Sequence, residues 1–221
     1  MFKKVFIMFL LFTSTVGIVF AQAVPDDNQP IFDDKLLIEG YAAKLAATSK
    51  DVILAMINDD TLVPYRKTAA LRVFRTRFAY QIVTGERSTV ERMFLRQLEA
   101  ATSVYVQIEL MHCLVTLDRY RYFEAMVPAL IQKIDHYDST ASEMAYESIL
   151  DINESGTQRA REARIEFNTL RKIFFLIRKK LEASDPFDSR IKSKLDLLKW
   201  SIKVLGTDEL KNLPSEVISL M

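Results

Sequence analysis

The sequence predicts an all-α fold: a HEAT-like α-solenoid of about four antiparallel helix pairs. Three observations point there. Glycine and proline are scarce, 5 and 6 in 221 residues, which disfavours turn-rich β folds. Apolar residues recur at helical spacing along nearly the whole chain past residue 30, and no stretch shows convincing strand alternation. The helical segments also come in similar pairs, an apolar helix, a short polar break and a second apolar helix.

The N-terminus reads as a targeting element, not part of the fold. Lys3 and Lys4 are followed by an uncharged apolar run from Val5 to Phe20, then by Ala21-Gln22-Ala23 and the polar Val24-Pro25-Asp26-Asp27. That order is a secretory signal, with cleavage expected after Ala23 and export to a periplasmic or extracellular space. The run is shorter than the ~20 residues of a spanning helix, although retention as an anchor is the alternative. Residues 24–30 read as a linker, 31–206 as the helical domain and 207–221 as a C-terminal tail.

Periodicity predicts helices over 31–47, 50–58, 62–83, 89–101, 104–117, 122–135, 140–153, 157–183 and 189–205. Ser88-Thr89-Val90-Glu91 and Thr140-Ala141-Ser142-Glu143 have the form of capping boxes. Gly85, Gly156 and Gly206 each close an apolar-periodic run, where a left-handed terminal residue is expected. Asp185-Pro186 breaks another run. Pro128 is expected in the first turn of its helix, or at a slight kink.

Set side by side, 51–74, 93–115 and 126–150 resemble the HEAT-repeat family. Met126-Val127-Pro128-Ala129-Leu130 is similar to its first helix. Asn58-Asp59-Asp60 and residues 135–138 are similar to its aspartate-rich turn. Val63, Arg66 and Ala69-Ala70 are similar to the start of its second helix. The resemblance covers roughly 50–205, with matching core positions at Ala69, Leu110, Ala145 and Leu195. It implies stacked helix pairs sharing one elongated core. It also implies that Asp59, Asp60 and Arg66 form a structural ladder between neighbouring pairs.

Residues that could carry catalysis are few. His112 and His136 lie in different elements, and no donor spacing suggests a metal site, so neither metal nor cofactor is expected. His112 and Cys113 are adjacent on a helix and point about 100° apart, too far to act as a local nucleophile–base pair. Cys113, the one cysteine, excludes an intrachain disulfide and reads as a buried thiol. No phosphate-binding glycine loop, G-x-S-x-G or H-E-x-x-H is present. Acidic pairs fall in the linker, at helix starts or in turns, where they cap helices. Asn153-Glu154-Ser155 is a formal glycosylation sequon.

Charge is balanced overall, +1 for the chain and −1 once 1–23 are removed, which argues against nucleic acid as a partner. It is uneven locally. Along 157–183, Ala163, Phe167, Leu170, Ile173, Phe174, Ile177 and Leu181 share one arc, expected to be buried. Arg161, Arg164, Arg171, Lys172, Arg178 and Lys179 share another, with Phe175 among them. Arg164, Arg171 and Arg178, seven residues apart, would present a row of exposed cations. A second cluster holds Arg66, Lys67, Arg72, Arg75 and Arg77, of which Arg72 and Arg75 share a polar face.

The resulting expectation is a non-catalytic exported scaffold. It would bind a protein or peptide, acidic in one version, through Arg164, Arg171, Lys172, Phe175, Arg178, Lys179, Arg72 and Arg75. Two other readings stay open: a small-ligand binder or enzyme with an interhelical pocket, and a peripheral membrane protein using the basic helix face.

Overall fold

The computed structural model describes residues 35–118, 123–156, 159–181 and 188–221, all within one compact unit, Asp33–Met221. The signal, the linker and Asp185-Pro186 lie outside the described residues. Of the described residues 86% are helical and none is in a strand.

Helix α1 (Lys35–Lys44) ends in a 3₁₀ turn, Leu45–Ala47, and α2 is Lys50–Asn58. Helix α3 (Pro64–Val73) runs on through one π turn, Phe74–Phe78, and a 3₁₀ turn, Ala79–Gln81. Then follow α4 (Thr84–Ala100), α5 (Val104–Asp118), α6 (Phe123–Lys133), α7 (Ser139–Ser155), α8 (Arg159–Leu181) and α9 (Ser189–Leu205). A 3₁₀ turn, Thr207–Asn212, and a short α10, Ser215–Ile218, complete the chain.

The breaks have local causes. After α2 the Asp59 carboxylate accepts from the Thr61 amide at 2.8 Å and its hydroxyl at 2.7 Å, and Pro64 then opens α3 where its missing amide costs nothing. Asp138 caps α7 through the Ala141 amide at 3.0 Å, so the cap precedes the Thr140 box expected from sequence. Asp188 caps α9 through the Arg190 amide at 2.9 Å. Gly206 ends α9 at φ 110°, a left-handed position that suits glycine. Gly156 ends α7 but with φ −66°, not left-handed.

Three local expectations need correction. Gly85 lies in the first turn of α4 instead of closing α3, because Ile82 and Val83 are already extended and end the preceding helix without it. Ser88 is therefore inside α4 and caps nothing; its carbonyl accepts from Arg92 Nε at 3.1 Å. Pro128 stands sixth in α6, so of its two expected places the first turn is excluded, and the carbonyl of Glu124 lacks its helical donor.

Packing follows chain order. α2 lies on α3, α4 on α5, α6 on α7 and α8 on α9, while α1 covers α3. Successive second helices also meet, α3 with α5 and α5 with α7, and α6 meets α8. The core is one cluster along the whole unit, from Ile38, Ile53 and Phe74 through Leu110, Leu114 and Ile149 to Phe167, Phe174 and Leu198. The rings of Phe74 and Phe94 meet edge to face at 5.0 Å, joining the π turn to α4. Cys113 is fully buried, with its thiol 3.4 Å from the Leu71 carbonyl. The C-terminal residues belong to this core: α10 packs on α8, and Val217 is fully buried.

Polar side chains tie each pair to the next at the ends of the helices. Lys67 Nζ donates to Gln97 Oε1 at 2.8 Å, and Gln97 Nε2 donates to Asp60 Oδ1 at 2.6 Å. Arg96 donates to Asn58 Oδ1 at 2.6 Å. Further along, Lys133 Nζ donates to Gln107 Oε1 at 2.8 Å, and Lys194 Nζ to Asp135 Oδ1 at 2.6 Å. Asp60 thus meets Gln97 and Arg96 of α4, while Asp59 serves its own turn. Lys67 is one cation spanning to α4, and Lys50 of α2 is another, its Nζ 2.8 Å from Glu86 Oε2. Arg66 lies over the rings of Tyr41 and Tyr65, 5.4 and 5.7 Å from their centroids.

Candidate functional surfaces

The expected basic arc divides into parts with different surroundings. Arg164 pairs with Glu209 of the C-terminal 3₁₀ turn at 2.7 Å, and that bond first of all holds the Glu209 carboxyl below its usual range. Arg171 is half-buried with its guanidinium 6.0 Å from the centre of the Phe167 ring. Arg178 is exposed, lies 6.0 Å from the centre of the Phe175 ring, and donates to the Phe175 carbonyl at 3.2 Å. Of the expected row, Arg164 and Arg178 are exposed and Arg171 is half-buried. The tail of the chain returns against α8 and takes up Arg164, a contact that no local pattern announces. Arg161 likewise reaches Glu124 of α6 at 2.8 Å. Of the opposite arc, Phe167, Leu170 and Phe174 are fully buried, and Ile177 is half-buried against the same core.

What remains open on α8 is its C-terminal half. Lys172 and Lys179 are exposed, Phe175 is 42% exposed and Leu176 is 84% exposed. Leu176 was not singled out from sequence. Its position about 200° from Phe174 on the helical wheel was the available signal.

Arg72 and Arg75 turn toward α5. Glu109 receives both, Arg72 at 2.5 Å and Arg75 at 3.3 Å, with the Glu109 side chain almost fully covered. They are thus engaged within the fold on the face where α3 meets α5. Beside them opens a groove of about 490 Å³, lined in part by Tyr80, Arg87, His112, Glu147, Ser148 and Asp151. It touches the turn after α3, the start of α4, and one side each of α5 and α7. The His112 pKa is lowered, first by burial and then by Arg75, so the ring is held neutral. Arg87 donates to the Ile82 carbonyl at 3.4 Å, and its buried Nε has no hydrogen-bond partner among the described residues. Tyr80, 83% exposed, stands at the rim. Periodicity did not identify this groove, because its walls come from separate helices.

The remaining chemistry-bearing residues lie in separate elements. His136 stacks on Tyr137 at 4.4 Å in the loop after α6, whereas His112 is on α5. No group of three or more His, Cys, Asp or Glu side chains suited to a metal ion occurs among the described residues. Burial pushes the Cys113 thiol up, leaving it protonated. Two carboxylates, Glu162 and Glu166, are fully buried one turn apart on α8, near Asn153. Burial raises the Glu166 pKa to about 8. The Asn153 amide pulls it down somewhat without a hydrogen bond of good geometry, and Glu162 pushes it up. Lacking access, this pair cannot serve a diffusing substrate in this conformation. Asn153 is itself only 3% exposed, so its sequon is shielded in the folded chain.

No described helix is long and apolar enough to cross a membrane. No family model matches the chain, and no curated protein or solved structure matches it significantly.

Proposed function

We propose that the chain is an exported, non-catalytic helical-repeat scaffold that binds a segment of another protein in the groove between the turn after α3, the start of α4, α5 and α7. The observation that carries this reading is the groove itself. Its walls come from successive helix pairs, and its polar groups are mixed in sign: Arg87, neutral His112, and the carboxylates of Glu147 and Asp151. A mixed lining favours a peptide carrying both charges over a purely acidic one. Backbone amides and carbonyls of an extended segment also suit such a surface.

Two features support a HEAT-like stack beneath this face. The second helices meet in order, and the polar bridges Lys67–Gln97, Gln107–Lys133 and Asp135–Lys194 recur from pair to pair. A lone helix pair could not bury its apolar face, and stacking provides the shared core. Export rests on the signal-like order of residues 1–23, and N-terminal sequencing of the secreted product should find Val24 first.

Selection of displayed random peptides against the purified chain is the direct test. The enriched peptides should compete with one another and lose at least about tenfold in affinity on Tyr80→Ala or Arg87→Ala, the loss of one well-placed contact. Enriched peptides indifferent to both substitutions would move the site elsewhere. A small molecule bound tightly in the groove in place of any peptide would favour the ligand-binding alternative.

A further inference from the structure

Lys172, Phe175, Leu176 and Lys179 form a diamond on the exposed side of α8. Residues three and four apart on a helix are neighbours, so each lysine flanks the apolar pair, one turn before it and one turn after. Arg178 adds a third cation beside Phe175. No acidic residue occurs from Phe167 to Leu181. Cations near a helix C-terminus favour the macrodipole, which accounts for Arg178 and Lys179. It does not account for Leu176, whose side chain is largely in solvent.

We propose that this face of α8 docks on an anionic phospholipid surface. The chemistry matches in both parts. Phe175 and Leu176 can enter the boundary between headgroups and acyl chains, while the flexible lysine stems let their ammonium groups reach phosphates at the level above. A helix ridge with two apolar side chains offers a protein partner little shape to enclose, whereas lipid phosphates meet each cation independently. The attachment is peripheral, through a helix lying along the surface. It is independent of the groove between the turn after α3, the start of α4, α5 and α7, and does not require a peptide there.

The test uses the full chain, with a Leu176→Cys substitution labelled by an environment-sensitive fluorophore. Cys113 is buried and stays unlabelled in the folded protein. This reads the α8 face directly, whatever the apolar N-terminal run does with lipid. Vesicles containing phosphatidylglycerol should blue-shift the probe at low salt, and pure phosphatidylcholine should not. Raising the salt should reverse the shift as screening shortens from about 30 Å to about 10 Å. Lys172→Gln with Lys179→Gln should weaken binding about 25-fold, roughly fivefold per cation, and Lys172→Glu with Lys179→Glu should abolish the shift. Circular dichroism checks that the variants remain helical. The same dye on Tyr137→Cys, on a loop between α6 and α7, should report no insertion. An unchanged probe with anionic vesicles, an equal shift with neutral ones, or a shift that survives both lysine pairs overturns the proposal. A shift with polyglutamate but not with vesicles would assign the face to an acidic protein and overturn it equally.

Discussion

Glu166 makes the fold sensitive to pH in an unusual direction. In the unfolded chain its carboxyl titrates near the ordinary value of 4.5, whereas in the fold burial raises it to about 8. Below 4.5 the group is protonated in both states and costs nothing. Between 4.5 and about 8 the unfolded chain releases the proton while the folded chain keeps it, so stability falls as pH rises, by up to about 1.4 kcal/mol per pH unit. Above about 8 both states are ionised and the penalty is at its full size. Over that window the ceiling is about 5 kcal/mol, and relaxation of the site should leave on the order of half of it. Glu166→Gln keeps the shape and removes the ionisation. The variant should match the wild type near pH 4.5 and exceed its stability by about 2–3 kcal/mol at pH 8. Urea unfolding of both proteins at several pH values measures this, and the difference between them removes the contribution of His112, whose lowered pKa acts in the opposite sense. Equal pH slopes for wild type and variant would refute the reasoning. So would a variant less stable at pH 8, which would show that the ionised carboxylate has a strong partner.

Other substitutions probe single contacts. A Cβ at Gly156 would clash with the buried Glu162 carboxylate, while φ there is ordinary, so Gly156→Ala should cost about 1–3 kcal/mol through crowding alone. A double-mutant cycle with Glu162→Ala should show coupling, and additivity would disprove the clash. Asp135→Ala leaves the buried Lys194 ammonium without its counter-ion and should lower stability by about 1–2 kcal/mol in chemical denaturation, the modest size reflecting the half-exposed carboxylate. Unchanged stability would mean that the bridge contributes nothing. Cys113 should react with a thiol reagent only as fast as the chain unfolds, and rapid modification under native conditions would contradict its burial.

Helicity was legible in the sequence because it depends on spacing within one segment. Lys50–Asn58 and Ser189–Leu205 fall where apolar periodicity put them, and the buried arc of α8 at Phe167, Leu170 and Phe174 follows from the same wheel. Helix ends were less secure. Ile82 and Val83 stop one helix by going extended, and Asp138, not Thr140, caps α7, because any of several nearby residues can satisfy the same few free amides.

Partnership between helices was not legible. Arg164 and Arg178 look alike on the wheel, yet one pairs with Glu209, 45 positions away, and the other stays in solvent. Arg72 and Arg75 looked like an open basic face until Glu109 of α5 met them. Lys67 reaches Gln97 of α4 while its neighbour Arg66 lies over Tyr41 and Tyr65, because a difference of one residue on a helix turns a side chain by about 100°. The sequence by itself determined that this chain forms apolar-faced helices and where charge gathers along them, since both are properties of neighbours in the chain. Only the tertiary structure decided which charges are spent on one another and which surfaces remain open, because that depends on residues brought together from distant segments.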